Sequence, residues 1–166
     1  VIWDYYNTSH GRDSYDNRGS LQKVVIERCN DPNPVKNIRA HWLGGTITTC
    51  DAIADTDVIA HEFQHGVTGA TTGFVYSNES GAMNEGLSDA FGAAIDSDDW
   101  LMGEEGVQAI RSLQNPPQFG HPDSMISSKY YCGSSDNGGV HTNSGVLNKA
   151  FYLMSDGGTF NGCTMS

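Results

Sequence analysis

Apolar positions change their spacing near residue 55. Residues 21–29 carry a β-branched run, Val24-Val25-Ile26, and Asp31-Pro32-Asn33-Pro34 closes that segment as a turn. Residues 38–43 and 46–50 read as two more strands around Gly44-Gly45, the second built on Thr46-Ile47-Thr48-Thr49. The first fifty residues are therefore expected to be strand and loop. Beyond them Val58, Ile59, Phe63 and Val67 approximate helical spacing, with Asp55 or Thr56 as cap and Asp57 adding negative charge to the first turn. Gly69 and Gly73 should end this helix. A second helix is expected over 81–95 (Met83, Leu87, Ala90, Phe91, Ala94, Ile95 apolar) and a third over 143–155 (Val146, Leu147, Ala150, Phe151, Leu153). The chain divides into a β-rich part, 1–54, and a helical part, 55–166.

Composition narrows the partners. Nine Lys and Arg face twenty Asp and Glu, a formal charge of −11, which argues against nucleic acid or an anionic membrane and suits a secreted protein that binds cations. No apolar run approaches the ~20 residues of a membrane span. Val1 reads as an internal start, with no signal peptide ahead of it. Cys29, Cys50, Cys132 and Cys163 are widely spaced, which suits two disulfides better than a cysteine metal site. Three pairings are possible; Cys29 with Cys50 and Cys132 with Cys163 close the shorter loops.

The candidate chemistry sits on the first helix. His61-Glu62-Phe63-Gln64-His65 places two imidazoles at i and i+4, on one face and one turn apart, where both can reach one zinc ion. Glu62 stands beside them as a base for a water on that metal. Glu85, twenty residues after His65, is the expected third ligand, carried on a second helix that packs back. Asp89 lies one turn beyond Glu85.

Three blocks carry a resemblance: His61-Glu62-x-x-His65-Gly66-Val67-Thr68; then Tyr76-x-Asn78-Glu79-Ser80-Gly81-Ala82-x-Asn84-Glu85-x-x-Ser88-Asp89; then Asp136-Asn137-Gly138-Gly139-Val140-His141-x-Asn143-Ser144-Gly145. Their order and gaps resemble the thermolysin-like zinc metallopeptidases, secreted neutral metalloproteases. The resemblance implies an α+β, thermolysin-like zincin fold, a β-rich N-terminal part followed by active-site helices. The C-terminal helical lobe of the family would be largely absent here, making 1–166 a fragment of a longer protein. It implies a zinc-dependent endopeptidase that hydrolyses peptide bonds through a zinc-bound water activated by Glu62. His61, His65 and Glu85 would be the zinc ligands. Asp89 would orient His61, and His141 and Tyr76 would donate to the oxyanion with Asp136 behind His141. Arg111 and Ala40 would hold substrate backbone. Val58, Ile110 and Met102 would line a pocket for a hydrophobic residue after the scissile bond. Asp57, Asp96, Asp99 and Glu104 match the family's calcium carboxylates. Leu101 falls where another acidic ligand can stand, which argues for one calcium.

One departure concerns the substrate-aligning strand. The family pattern there is Asn-Ala-aromatic-Trp, and this chain has Arg39-Ala40-His41-Trp42. The expected partners are protein or peptide substrates, and the expected location is extracellular. Two other functions compete: a non-catalytic structural or assembly protein retaining the fold, and a zinc aminopeptidase or amidase using the same water chemistry.

Overall fold

The computed structural model of the chain describes residues 1–29, 39–106 and 108–166. The turn expected at 31–34, and Ile38 of the second strand, lie outside the described residues. The chain opens with a helix, α1 (Ile2–His10), which corrects the expectation of strand and loop throughout the first fifty residues. Ile2, Tyr5 and Tyr6 fall at i, i+3 and i+4, so one face of this aromatic-rich segment can bury itself. Tyr6 is buried, stacks on Phe91 at 5.6 Å and donates its hydroxyl to Gln64 Oε1 at 2.6 Å.

Three strands follow: β1 (Lys23–Glu27), β2 (Ala40–Leu43) and β3 (Thr46–Cys50). β3 is central. It pairs parallel with β1, from Lys23 opposite Thr46 to Glu27 opposite Cys50, and antiparallel with β2, from Ala40 opposite Thr49 to Leu43 opposite Thr46. Among the described residues β2 therefore keeps a free edge. Ile47 of β3 is fully buried and meets Tyr6, Phe63 and Val67 in the main core.

The central helix is α2 (Thr56–Ala70), capped by Asp55, whose side chain accepts from Thr56 N at 2.9 Å. It is buried on nearly every side, with the sheet on one flank and α3 (Asn78–Ile95) on the other. Gly66 allows the sheet to approach: a Cβ there would lie 2.5 Å from Trp42 Cζ2 of β2. A short hairpin, β4 (Leu101–Met102) with β5 (Arg111–Ser112), supplies Met102 to a second core with Ala93 and Leu113. α4 (Asp136–Asn143), α5 (Gly145–Asp156) and a terminal hairpin, β6 (Gly158–Phe160) with β7 (Cys163–Met165), complete the chain. The α3 and α5 expectations were right in kind, with α3 starting three residues before position 81.

Cys29 and Cys50 form a disulfide. Cys132 and Cys163 do not pair; both are exposed free thiols, which corrects the second expected bridge. The cause is the length of α5. Cys132 follows Tyr131, whose N–H and carbonyl are both bound by Asn143 near the start of α5, each at 2.9 Å. Cys163 lies in the hairpin beyond the far end of that helix. That helix is about 18 Å long.

Candidate metal and catalytic site

α2 and α3 meet in a pair of imidazoles and one carboxylate. His61 Nε2 and His65 Nε2 face each other at 3.0 Å. Glu85 of α3 is fully buried beneath them, with Oε2 3.4 Å from His61 Nε2 and Oε1 3.3 Å from His65 Nε2. Ligands about 2.0–2.1 Å from a tetrahedral zinc ion stand about 3.3 Å apart, so these separations suit zinc. The hydrogen bonds agree. His61 Nδ1 lies 2.8 Å from Asp89 Oδ1, and His65 Nδ1 lies 2.9 Å from Asn84 Oδ1. Both acceptors draw the ring proton outward and leave the Nε2 lone pairs converging on Glu85. Glu85 Oε2 is buried with no hydrogen-bond partner among the described residues. Two lone pairs and an unsatisfied carboxylate oxygen in a buried spot call for a cation.

Burial works against a charged His61, but Asp89 and Glu85 outweigh it and raise its pKa to about 10. Burial likewise favours neutral Glu85, yet His61 and His65 hold its carboxyl well below the usual range.

Asp89 anchors a wider network. It is fully buried, and its burial is outweighed by Arg111 and His61, which hold its carboxyl low. Arg111 binds it through Nε to Oδ2 at 2.8 Å and Nη2 to Oδ1 at 2.7 Å, and Asn148 Nδ2 donates to Oδ2 at 2.8 Å. Arg111, expected to meet substrate, thus lines the cleft wall with two donors engaged by Asp89.

Glu62 differs from Glu85 in its outlook. Its carboxylate shares the neighbourhood of both imidazoles, within 4.8 Å, and it lines both halves of the open cleft. Glu85 lies on the floor of only one half. Tyr76 and His141 line the cleft together with Glu62, the Tyr76 hydroxyl 3.3 Å from His141 Nε2 and donating to Glu85 Oε1. Burial first, then the Glu85 charge, push the Tyr76 pKa up, so the phenol stays a donor. Asp136 holds His141 twice, Oδ1 at 2.7 Å from Nδ1 and Oδ2 accepting the backbone N–H at 3.0 Å. This is possible because Asp136, Asn137, Gly138 and Gly139 run left-handed, at φ 53, 51, 90 and 77°. Gly138 is required there, since a Cβ would meet Asn78 Oδ1 at 2.2 Å.

The cleft has two halves along the free edge of β2. One, about 400 Å³, is lined by Arg39, Val58, Met102, Ile110 and Arg111; the other, about 430 Å³, by Trp42, His65, Tyr76 and Glu85. Ala40, His41, Glu62 and His141 border both.

The expected calcium carboxylates fall into two clusters. Asp57 and Asp96 join Asp55, and Asp99 and Glu104 join Asp98. Sequence reasoning missed Asp55 and Asp98 as members. It also missed Asn84 behind His65 and Asn148 behind Asp89. Asn148 had a signal, a polar residue inside the apolar pattern of α5.

A His-x-x-x-His pair on one helix, closed by a carboxylate from the next and roofed by an edge strand, defines a zincin-type metallopeptidase scaffold of the α+β class. Residues 1–69 match the thermolysin metallopeptidase catalytic domain, and residues 72–166 its alpha-helical domain. The chain belongs to the thermolysin metallopeptidase family. It is 45% identical to a bacillolysin of Brevibacillus brevis over 96% of its length and 32% of that protein. It is 40% identical to a thermolysin of Alicyclobacillus acidocaldarius over its whole length and 33% of that protein. An extracellular elastase of Staphylococcus epidermidis is 43% identical over 90% of this chain and 32% of its own. Among solved structures, the precursor of protealysin, a metalloproteinase from Serratia proteamaculans, superposes with a TM-score of 0.77 at 30% identity, covering 93% of this chain and 56% of that one. The chain spans about a third of the curated relatives it matches. Among the described residues no helix is long and apolar enough to cross a membrane.

Proposed function

We propose that this chain carries the active site of a secreted zinc endopeptidase, with His61, His65 and Glu85 as zinc ligands. The observation that carries this reading is the convergence of His61 Nε2, His65 Nε2 and the two Glu85 carboxylate oxygens, at 3.0, 3.3 and 3.4 Å, with an acceptor behind each imidazole. Zinc, when bound, supplies a Lewis acid and lowers the pKa of a coordinated water.

The chain's own residues do the rest. Glu62 faces the cleft and takes the proton of the attacking water, then delivers it to the departing amine nitrogen. His141 and Tyr76 donate to the oxyanion as the scissile carbonyl becomes tetrahedral, when such bonds count most. Asp136 holds His141 with Nε2 toward that oxygen. Asp89 fixes the tautomer of His61 and Asn84 that of His65. The edge of β2 at Ala40 aligns an extended peptide by backbone pairing. Val58, Ile110 and Met102 wall the pocket for a hydrophobic residue just after the cut, with Arg111 beside it. The two carboxylate clusters hold calcium, since hard oxygen ligands in mutual repulsion suit that ion. The extracellular relative supports secretion.

The test uses the full-length protein on casein. Cleavage should vanish with a chelator and return with zinc. Glu62→Gln should abolish cleavage while zinc content stays at one per chain. Stoichiometric zinc with no cleavage in the unmodified protein would instead favour the non-catalytic assembly reading.

A further inference from the structure

We propose that Arg39, seconded by His41, makes the cleft select an acidic residue immediately after the one that fills the apolar pocket. This deepens the endopeptidase reading and rests on it. β2 alternates. Ala40 and Trp42 are half-buried, and Trp42 lies over Gly66 of α2, whereas Arg39 and His41 are exposed on the opposite face. Arg39 lines only the half of the cleft that holds Val58, Met102 and Ile110, and Trp42 lines only the other half. The strand is thus a ruler, with a cation at its apolar-pocket end.

A peptide paired along this free edge alternates with the same period. A side chain pointing toward Val58 of α2 fills the pocket, so its successor points to the face that Arg39 and His41 share. Two arginines line this half of the cleft. Arg111 is bound bidentately by Asp89, so its charge is already answered. Arg39 stands on the rim, Nη2 3.8 Å from Cys29 Sγ, while its carbonyl accepts from Cys50 N at 2.9 Å. The disulfide thereby holds the strand end from which this cation projects. In a chain of net charge −11 with only nine Lys and Arg, a guanidinium at this point is a local reversal of sign. It favours a carboxylate and disfavours a lysine.

The experiment compares quenched peptides, cleaved by the full-length zinc protein, that share Leu after the scissile bond and carry Glu, Gln or Lys next. Glu over Lys should be favoured about tenfold in kcat/KM, mostly through KM, with Gln between. Arg39→Gln should bring the Glu/Lys ratio to about one. An unaltered Glu/Lys ratio in Arg39→Gln overturns the proposal. A second measurement is independent of turnover: calorimetric binding of the dipeptides Leu-Glu and Leu-Lys to zinc-loaded Glu62→Gln protein. Tighter Leu-Glu binding that disappears when Arg39→Gln is added supports the role of Arg39 even if no peptide is cleaved, in which case only the endopeptidase reading falls. Equal binding of the two dipeptides overturns it.

Discussion

Asn84 and Asp89 stand at equivalent stations behind the two imidazoles, at 2.9 Å from His65 and 2.8 Å from His61, yet one is neutral and the other charged. The charge at Asp89 has a second purpose, because Arg111 is bound to the same carboxylate. Replacing the two should therefore fail differently. Asn84→Ala is expected to weaken zinc binding about tenfold with little loss of stability. Asp89→Ala should weaken zinc by about 10–100-fold and destabilise by about 3 kcal/mol, since it leaves Arg111 buried without its partner. Zinc competition against a chromogenic chelator, with denaturant unfolding of the zinc-loaded variants, separates the two. Equal unfolding midpoints would contradict this division.

Gly138 links backbone handedness to catalysis. Gly138→Ala imposes a strained φ near 90° and a contact with Asn78, and the relief available is a shift of the turn that carries His141. The expected result is a fall of kcat by about 10–100-fold, at near-constant KM and zinc content, as for a weakened oxyanion donor. Steady-state kinetics on a peptide substrate checks it; a pure KM effect would refute it.

Gly66 is a packing gap that Trp42 fills. Gly66→Ala should separate sheet from helix and cost about 1–3 kcal/mol. Pairing it with Trp42→Leu should recover part of that loss, and urea denaturation of the single and double variants reads the recovery directly. No recovery would mean that the indole is not the obstacle.

The cation cluster gives a pH signature. Burial, with Asp55 and Glu104 adding, raises the Asp57 pKa to about 7 against hydrogen bonds from Gly103 and Val58. The unfolded value is about 3.9. Between these values the folded chain binds more protons than the unfolded one, so calcium-free stability falls as pH rises from about 4 to about 7. Calcium, bound as proposed, would offset the ionised carboxylates. Thermal unfolding with zinc retained and calcium removed should show a transition lower by a few °C at pH 8 than at pH 5.5. Added calcium should reverse that ordering. A calcium-free protein that is more stable at pH 8 would rule the account out.

Much of this site is legible in the primary structure because helical spacing is a strong local rule. His61 and His65 must share a face, and Asp89 must lie one turn from Glu85. What escaped depends on tertiary approach. α1 was missed because Tyr5-Tyr6 favours a strand locally, and only burial against Phe63 and Phe91 makes it a helix. Asn84 looks like an ordinary helix amide until the partner helix is in place. Cys132 and Cys163 look pairable by sequence distance, but a rigid helix sets their spacing, which loop length does not reveal.

The Cys29–Cys50 bond encloses residues 29–50 in one covalent ring, and all of β2 lies within it. A ring of this size restrains the unfolded chain by about 3 kcal/mol. None of the three residues that converge on the proposed metal position, His61, His65 and Glu85, belongs to it. On the proposed function, substrate alignment and metal retention would be separately fastened, the first by sulfur and the second by helix packing. Under reducing conditions such a molecule would first lose its discrimination among peptides, while its ion stayed in place. On that reading the bond would be a guard on selectivity.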